Sequence, residues 1–308
     1  MKPLARWLGL LPLLGLSSAL AGNNDHAGWQ SAQLAYSLQR DVHSEITGRS
    51  YRIFVSAPQV PAPAEGFPVV YLLDGNALFA PLAMQARGED LRAARSGDTP
   101  VLIVGIGYPV DELYDLPARA DDYTPPNRPG TANPPTRQSN ASLFLRFIEE
   151  ELKPLINARY PVDTAQQTLF GHSYGGLFTL YTLFNAPQSF QHYVAASPSI
   201  WWQQRSVLDA LTGFEQRLKT QGGPRTLLLT VGDREQPSGP AQADDQRQQL
   251  VRQRQMISNV SALDARLQPL QQAGLSVQTR LLPGADHGDS AVLTSLEVLA
   301  TARGTTAR

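Results

Sequence analysis

Seven short runs, each rich in β-branched and aromatic residues and each closed by turn formers, do most to limit what this chain can fold into. They read SYRIFVSAP, FPVVYLLDG, PVLIVGIGY, QQTLFGHS, FQHYVAASP, PRTLLLTVGD and LSVQTRLLPG. Several are apolar on both faces, FPVVYLLDG and PVLIVGIGY among them. A strand wetted on one side alternates, so strands without alternation belong inside a mostly parallel sheet covered on both sides. Parallel neighbours need crossovers, and helical periodicity supplies them over residues 77–92, 142–159, 174–185, 204–221, 259–273 and 290–302. The alternation predicts an α/β fold: a mostly parallel central sheet, doubly wound, with helices on both faces. Neither an internal repeat nor a shift of composition marks a second domain.

Two segments interrupt this pattern. Tyr108–Asn140 is rich in Pro, Asp and Asn, and Glu235–Gln255 is polar and Gln-rich. Both are expected as loop insertions, near 108–140 and 235–255, the second partly helical. Both follow predicted strands, at the sheet edge where open α/β folds bind ligands.

The first 21 residues have the layout of an export signal: Lys2 and Arg6, a short apolar run, then Ala19-Leu20-Ala21 before a polar stretch. Cleavage is expected after Ala21, leaving 22–308 as a single domain without stable membrane insertion. The chain has no cysteine, which excludes disulfides and a thiolate nucleophile. Roughly 285 residues can bury about three quarters of their unfolded surface, enough to fold without staples. Export without cysteine points to the bacterial periplasm. The formal net charge of −1 offers no global field for nucleic acid or acidic lipid. Homo-oligomerisation is left open.

Within TLFGHSYGGLFTLYTLF, Ser173 sits between a strand and an apolar helical pattern, with Gly171 two before it and Gly175 two after. Three fixed residues recur by chance in roughly one 300-residue chain in ten, so context must carry the reading. A strand, a sharp turn and a helix are the setting of a nucleophile elbow, in which the serine is held out at the head of the helix. Serine needs a base, and in this architecture the acid and then the histidine follow it in chain order. Of five histidines, only His287 in LLPGADHGDS follows a late strand and precedes the last helix. The acid is expected at the end of TLLLTVGDREQ: Glu235, three residues past Gly232, with Asp233 as the alternative and a dyad without an intimate acid as a third possibility. Oxyanion donors are expected from the backbone N–H of Tyr174, next to the nucleophile, and of Asn76, after Asp74-Gly75. The histidines lack ligand spacing and phosphate-binding or dinucleotide glycine patterns are absent, so neither metal nor cofactor is expected. The residues read as a serine hydrolase of the α/β-hydrolase fold.

VVYLLDGNALF, ARADDYTPP, GHSYGGLF, ASPSIWW, VGDREQ and GADHG together resemble the esterase D-like family, and within it the periplasmic trilactone siderophore esterases that act on enterobactin and its relatives. LLDG and the elbow are shared with wider relatives such as S-formylglutathione hydrolases, whereas DYTPP with SPSIWW narrows the resemblance. It implies Ser173 as nucleophile, His287 as base, and Asn76 and Tyr174 as oxyanion donors. It also implies substrate contacts from Arg119 and from Trp201 or Trp202, with a ferric or apo catecholate siderophore as the small-molecule ester. A guanidinium would offset catecholate charge and an indole face would stack on the ring. Two rivals predict different behaviour. A general carboxylesterase, thioesterase or acyltransferase would show no preference for catecholate lactones, and a siderophore-binding protein on the same fold would not cleave them.

Overall fold

The computed structural model describes residues 32–126, 139–221, 223–237 and 246–304. The export signal expected on 1–21 lies outside them. Eight strands form one sheet in the order β1-β2-β4-β3-β5-β6-β7-β8. β1 (Ser37–His43), β2 (Ser50–Ser56) and β4 (Leu102–Gly107) pair antiparallel in sequence. β3 (Phe67–Leu73), β5 (Val162–His172), β6 (His192–Ala196), β7 (Arg225–Gly232) and β8 (Leu275–Leu282) run parallel, and β3 also runs parallel to β4. This is the α/β-hydrolase fold. Every residue of β3, β4 and β6 is buried, as the unalternating runs require.

Chain direction across the sheet reverses between β3 and β5. From β3 the chain crosses through α1 (Gly75–Ser96) to β4 on one side, then returns to lay β5 on the other side. Such a switch point leaves a crevice at the carboxyl ends of the two strands. Asp74, Gly75 and Asn76 follow β3 there, and Ser173 follows β5.

The helix that follows β5, α5 (Tyr174–Asn185), is apolar almost all round, and its Leu177, Phe178, Leu180, Leu183 and Phe184 are fully buried. Burial of each such side chain contributes ~1.5–3 kcal/mol, so the element carrying Ser173 is anchored on every side. α2 (Leu116–Tyr123) packs on it through Tyr123, whose ring lies 6.1 Å from that of Phe178. Tyr51 stacks on Phe147 at 4.3 Å and continues this aromatic layer under the sheet.

Five segments depart from the sequence reading. Residues 108–140 are not structureless, because α2 forms within them: Asp115 caps it by accepting from the Ala118 N–H at 2.9 Å, with Pro117 in the first turn. Residues 142–159 do not make one α-helix: α3 (Ala141–Phe147) passes through a π-helical turn (Ile148–Leu152) into α4 (Lys153–Asn157). The helix expected over 204–221 is broken into α6 (Trp202–Arg205), a 3-10 turn (Ser206–Leu211) and α7 (Phe214–Thr220). Gly213 at φ 74 and left-handed Gln203, Gln204 and Arg205 interrupt an apolar spacing that by itself looks continuous. Beyond β7, α8 (Gln246–Arg254) and α9 (Met256–Leu267) are separated by left-handed Gln255, and α9 relaxes to a 3-10 turn at Gln268–Ala273. The last helix, α10 (His287–Ala302), begins three residues earlier than expected.

Candidate active site

β5 runs straight into α5 with Ser173 as the single residue between them, at φ 58 and ψ −112. A non-glycine residue there stores strain of ~1–3 kcal/mol, which surrounding contacts must hold. They do so through the backbone: the Ser173 N–H donates to the Ala196 carbonyl at 3.0 Å, and its own carbonyl accepts from Leu177 and Ser199 at 2.9 and 3.1 Å. Two glycines make the turn sterically feasible. A Cβ at Gly171 would run into the Gly175 backbone, and one at Gly176 would meet the Ala196 carbonyl and Pro198.

His287 heads α10, which Asp286 caps by accepting from the Gly288 and Asp289 N–H groups at 2.8 and 3.0 Å. Its Nε2 lies 2.9 Å from Ser173 Oγ, and its Nδ1 lies 2.6 Å from Glu235 Oε2. Glu235 sits on the 3-10 turn (Asp233–Glu235) that follows β7, and is buried. The other carboxylate oxygen, Oε1, accepts from the Gly232 N–H at 2.8 Å, the Ser290 hydroxyl at 2.9 Å and the Ser197 hydroxyl. Burial alone would raise this carboxyl, but the bond and charge of His287, then Ser197 and Gly232, outweigh it and hold it below its ordinary value. With Glu235 ionised, Nδ1–H donates a hydrogen bond to the carboxylate and Nε2 accepts one from the serine hydroxyl. Asp233, the alternative acid, instead accepts from the Gly284 N–H at 2.9 Å and fixes the turn leading to His287.

His172 adjoins the serine in sequence, where no spacing assigns it a role. Its Nε2–H donates to the His287 carbonyl at 2.7 Å, and the two rings lie 4.6 Å apart. Burial, reinforced by His287, depresses it to about 3, so it is a neutral prop behind the base. Ser197, Ser199 and Ser290 were also missed. Ser199 Oγ is 3.4 Å from Ser173 Oγ. Isolated serines carry no spacing signal, although ASPS and HGDS lie beside motifs that were noticed.

Tyr174 and Asn76, expected as oxyanion donors, stand at the heads of α5 and α1, beyond the ends of adjacent β5 and β3. Both helix N-termini favour developing negative charge. The Asn76 side chain is spent on the loop after β4: Nδ2 donates to the Tyr108 and Val110 carbonyls at 3.0 and 3.1 Å, and Oδ1 accepts from the Tyr108 N–H at 2.9 Å.

Arg119 is where the structure departs most from the sequence reading. Expected to meet substrate, it is buried and forms a two-point pair with Asp74, Nε to Oδ1 at 2.8 Å and Nη2 to Oδ2 at 2.7 Å. Nη2 also reaches the His172 carbonyl at 3.4 Å. A guanidinium committed in this way braces the turn after β3 against the elbow. Trp201 and Trp202, half-buried, pack on Tyr174 with ring separations of 6.2 and 5.2 Å.

A base hydrogen-bonded to a serine on a strained turn, oriented by a buried carboxylate, is equipped for acyl transfer. A family model described as "Putative esterase" matches residues 44–269. The ferri-bacillibactin esterase BesA of Bacillus subtilis is 40% identical over 204 residues, 64% of this chain and 70% of that protein. The siderophore enterobactin esterase of Emericella nidulans is 37% identical over 213 residues, again 64% and 70%. The crystal structure of the BES protein from Bacillus cereus superposes with a TM-score of 0.76 at 31% identity, covering 89% of this chain and 97% of that one.

Proposed function

The chain belongs to the "Putative esterase" family and is a carboxylic ester hydrolase, and from that premise we propose that it opens the trilactone ring of a catecholate siderophore through an acyl-enzyme on Ser173. The observation that carries the mechanism is the unbroken line Ser173 Oγ, His287 Nε2, His287 Nδ1, Glu235 Oε2, with spacings of 2.9 and 2.6 Å at its two ends. The substrate class draws its support from the two relatives named for siderophore ester cleavage.

His287 Nε2 takes the Ser173 proton as Oγ bonds to a lactone carbonyl carbon. Negative charge moves to the carbonyl oxygen, toward the Asn76 and Tyr174 N–H groups at the two helix heads. Collapse of this intermediate breaks the ring C–O bond, and the departing alkoxide takes the proton from His287. Water then loses a proton to His287 while attacking the acyl carbon; the second collapse returns that proton to Ser173 and frees a linear acid. Glu235 keeps Nδ1 protonated throughout and stabilises the imidazolium of each step. In the periplasm, the compartment suggested by the sequence of residues 1–21, linearisation would weaken the ligand's grip on imported iron.

The test is mass spectrometry of the purified protein incubated with enterobactin, with and without iron, beside Ser173→Ala. Linear products from the wild type alone are expected. An intact trilactone beside rapid hydrolysis of simple acyl esters would overturn the siderophore reading and leave a general carboxylesterase.

A further inference from the structure

The charge of Arg119 is already balanced by Asp74, and two further cations stand near the base. Beside the base and its acid lies a cavity of about 480 Å³ whose lining includes His287, Glu235, Arg234, Arg254, Val251 and Met256. That volume falls within the range of small-molecule sites. Its carboxylates are already engaged: Glu235 on His287, and Asp286 on the N–H groups that begin α10. Neither Arg234 nor Arg254 has an ion-pair partner among the described residues.

Arg254 is held in a particular way. Its guanidinium carbon lies 4.9 Å from the centre of the Trp201 ring, and Trp201 in turn packs on Tyr174, next to the nucleophile. The indole covers one face of the guanidinium, and a planar cation presented in this way accepts a second ring on its other face while its N–H groups meet anionic oxygens. Both supporting segments are strained. Gln203, Gln204 and Arg205 follow the tryptophans at φ 42, 56 and 66, and Gln255 follows Arg254 at φ 47. The two segments are joined by Arg205 Nη2 donating to Gln255 Oε1 at 2.8 Å. Gln236, next to the acid, clasps the start of α9 through Ser258 at 2.7 and 2.9 Å, so the cavity wall is tied to the machinery beside it. Four left-handed non-glycine residues, two of them bonded across the segments, are a cost that function, more than stability, explains. Met256 gives the wall a pliable apolar surface.

We propose that this cavity seats the anionic aryl arm of the substrate, with the ring stacked on the outer face of Arg254, Trp201 holding that guanidinium flat, and Arg234 as a second cation on the wall. Trp201 then acts through Arg254 as a positioning residue, and the aryl arm lies beside His287 while the ester lies on Ser173. This assignment rests on the hydrolytic reading of the same site and adds the chemical class of group recognised there.

Binding tests it without turnover. In the Ser173→Ala protein, calorimetry with 2,3-dihydroxybenzoylserine methyl ester, at a pH above the first ionisation of its catechol so that the ring carries the only negative charge, is compared with the uncharged 2,3-dimethoxybenzoylserine methyl ester. The anion is expected to bind at least ten-fold more tightly. Adding Arg254→Gln should weaken the anion about ten-fold, the scale of one charged hydrogen bond, and leave the uncharged probe much less affected. Arg254→Lys should recover part of the loss, because it restores charge without the planar stack. Arg266→Gln, the same change of charge on the exposed side of α9, should leave both affinities as they were. Equal loss of both probes with Arg254→Gln, no loss of the anion, or an equal loss with Arg266→Gln would each overturn the assignment. An intact trilactone in the mass-spectrometric test alongside Arg254-dependent anion binding would reject the siderophore hydrolysis and keep the aryl seat. Lactone cleavage without Arg254-dependent binding would do the reverse.

Discussion

Replacing Glu235 by glutamine asks more of the site than removing its charge, because the two carboxylate oxygens face different kinds of neighbour. Oε1 accepts from two hydroxyls, which can rotate, and from the Gly232 N–H at 2.8 Å, which cannot. Oε2 accepts from His287 Nδ1. A glutamine must offer its amide oxygen to one side and its NH2 to the other. With the oxygen toward His287, the NH2 confronts the fixed Gly232 N–H, and an unsatisfied buried donor costs ~1–3 kcal/mol. With the oxygen toward Gly232, the NH2 donates to Nδ1 and drives the proton to Nε2, the atom that must take the serine proton. The second arrangement wins by roughly five- to 150-fold on that cost, and it is the inactive tautomer. Loss of the carboxylate also removes a charge partner of the imidazolium, a Coulomb scale of ~4 kcal/mol at 4 Å and an effective dielectric of 20. Together these predict that Glu235→Gln lowers kcat on a simple aryl acetate by about 10³- to 10⁴-fold, with KM within about three-fold. Glu235→Ala imposes no tautomer, so it should retain more activity than Glu235→Gln despite losing every contact. Stopped-flow or long-time-course hydrolysis, with circular dichroism to show both variants folded, measures this. A glutamine variant more active than the alanine variant, or within ten-fold of wild type, would refute the argument.

Three further outcomes follow from buried groups near the crevice. Arg119→Met strands the Asp74 carboxylate, at a cost of ~3–5 kcal/mol, so the melting temperature should fall by roughly 10 °C and kcat with it, and adding Asp74→Asn should restore most of the stability; full stability of the single variant would contradict the bracing role. Gly171→Ala forces a Cβ into the Gly175 backbone, so expression as a stable, fully active protein would be incompatible with the elbow geometry described. Asp122 accepts from the Tyr51 and Tyr108 hydroxyls at 3.1 and 3.0 Å, and burial pushes its carboxyl up from 3.8 to about 6. Between those values the unfolded chain loses a proton that the folded chain keeps, so stability falls as pH rises through the window, by at most ~3 kcal/mol. Urea midpoints from pH 4 to 7 should show this slope in wild type and lose it in Asp122→Asn, and parallel slopes would count against it.

What could be read from sequence and what could not divide along physical lines. All seven runs are strands: burial on both faces writes itself into the composition of β3, β4 and β6, and β-branched residues closed by turn formers mark the partly exposed β2 and β8. β1 was missed: five of its seven residues are exposed, and a polar edge strand has no apolar signature. α2 hid because Pro117 and Asp115 were taken as loop formers when they are a cap and a first-turn proline. In the site, chain order pointed to Ser173 and His287 and left the acid between Glu235, Asp233 and none, and the fold brings Ser173 and Glu235 within hydrogen-bonding distance of His287. The pairing of Arg119 was not legible because its partner Asp74 is 45 residues away, and a long-range ion pair leaves no trace in local pattern. Arg254 was passed over inside a Gln-rich stretch for the same reason, since only the fold sets it on Trp201.

The bond from Ser173 to His287 joins residues 114 apart in the chain, and the bond from His287 to Glu235 joins residues 52 apart. At synthesis rates of about 5–20 residues per second, roughly 6 to 23 s separate the emergence of the serine from that of its base. During that interval the hydroxyl has no proton acceptor, and the strained turn lacks the last crossover that packs behind it. Hydrolysis is therefore a property only of the finished chain. Titration of reactive serine with an organophosphate would count completely assembled molecules in any preparation, and partly folded or truncated ones would stay silent.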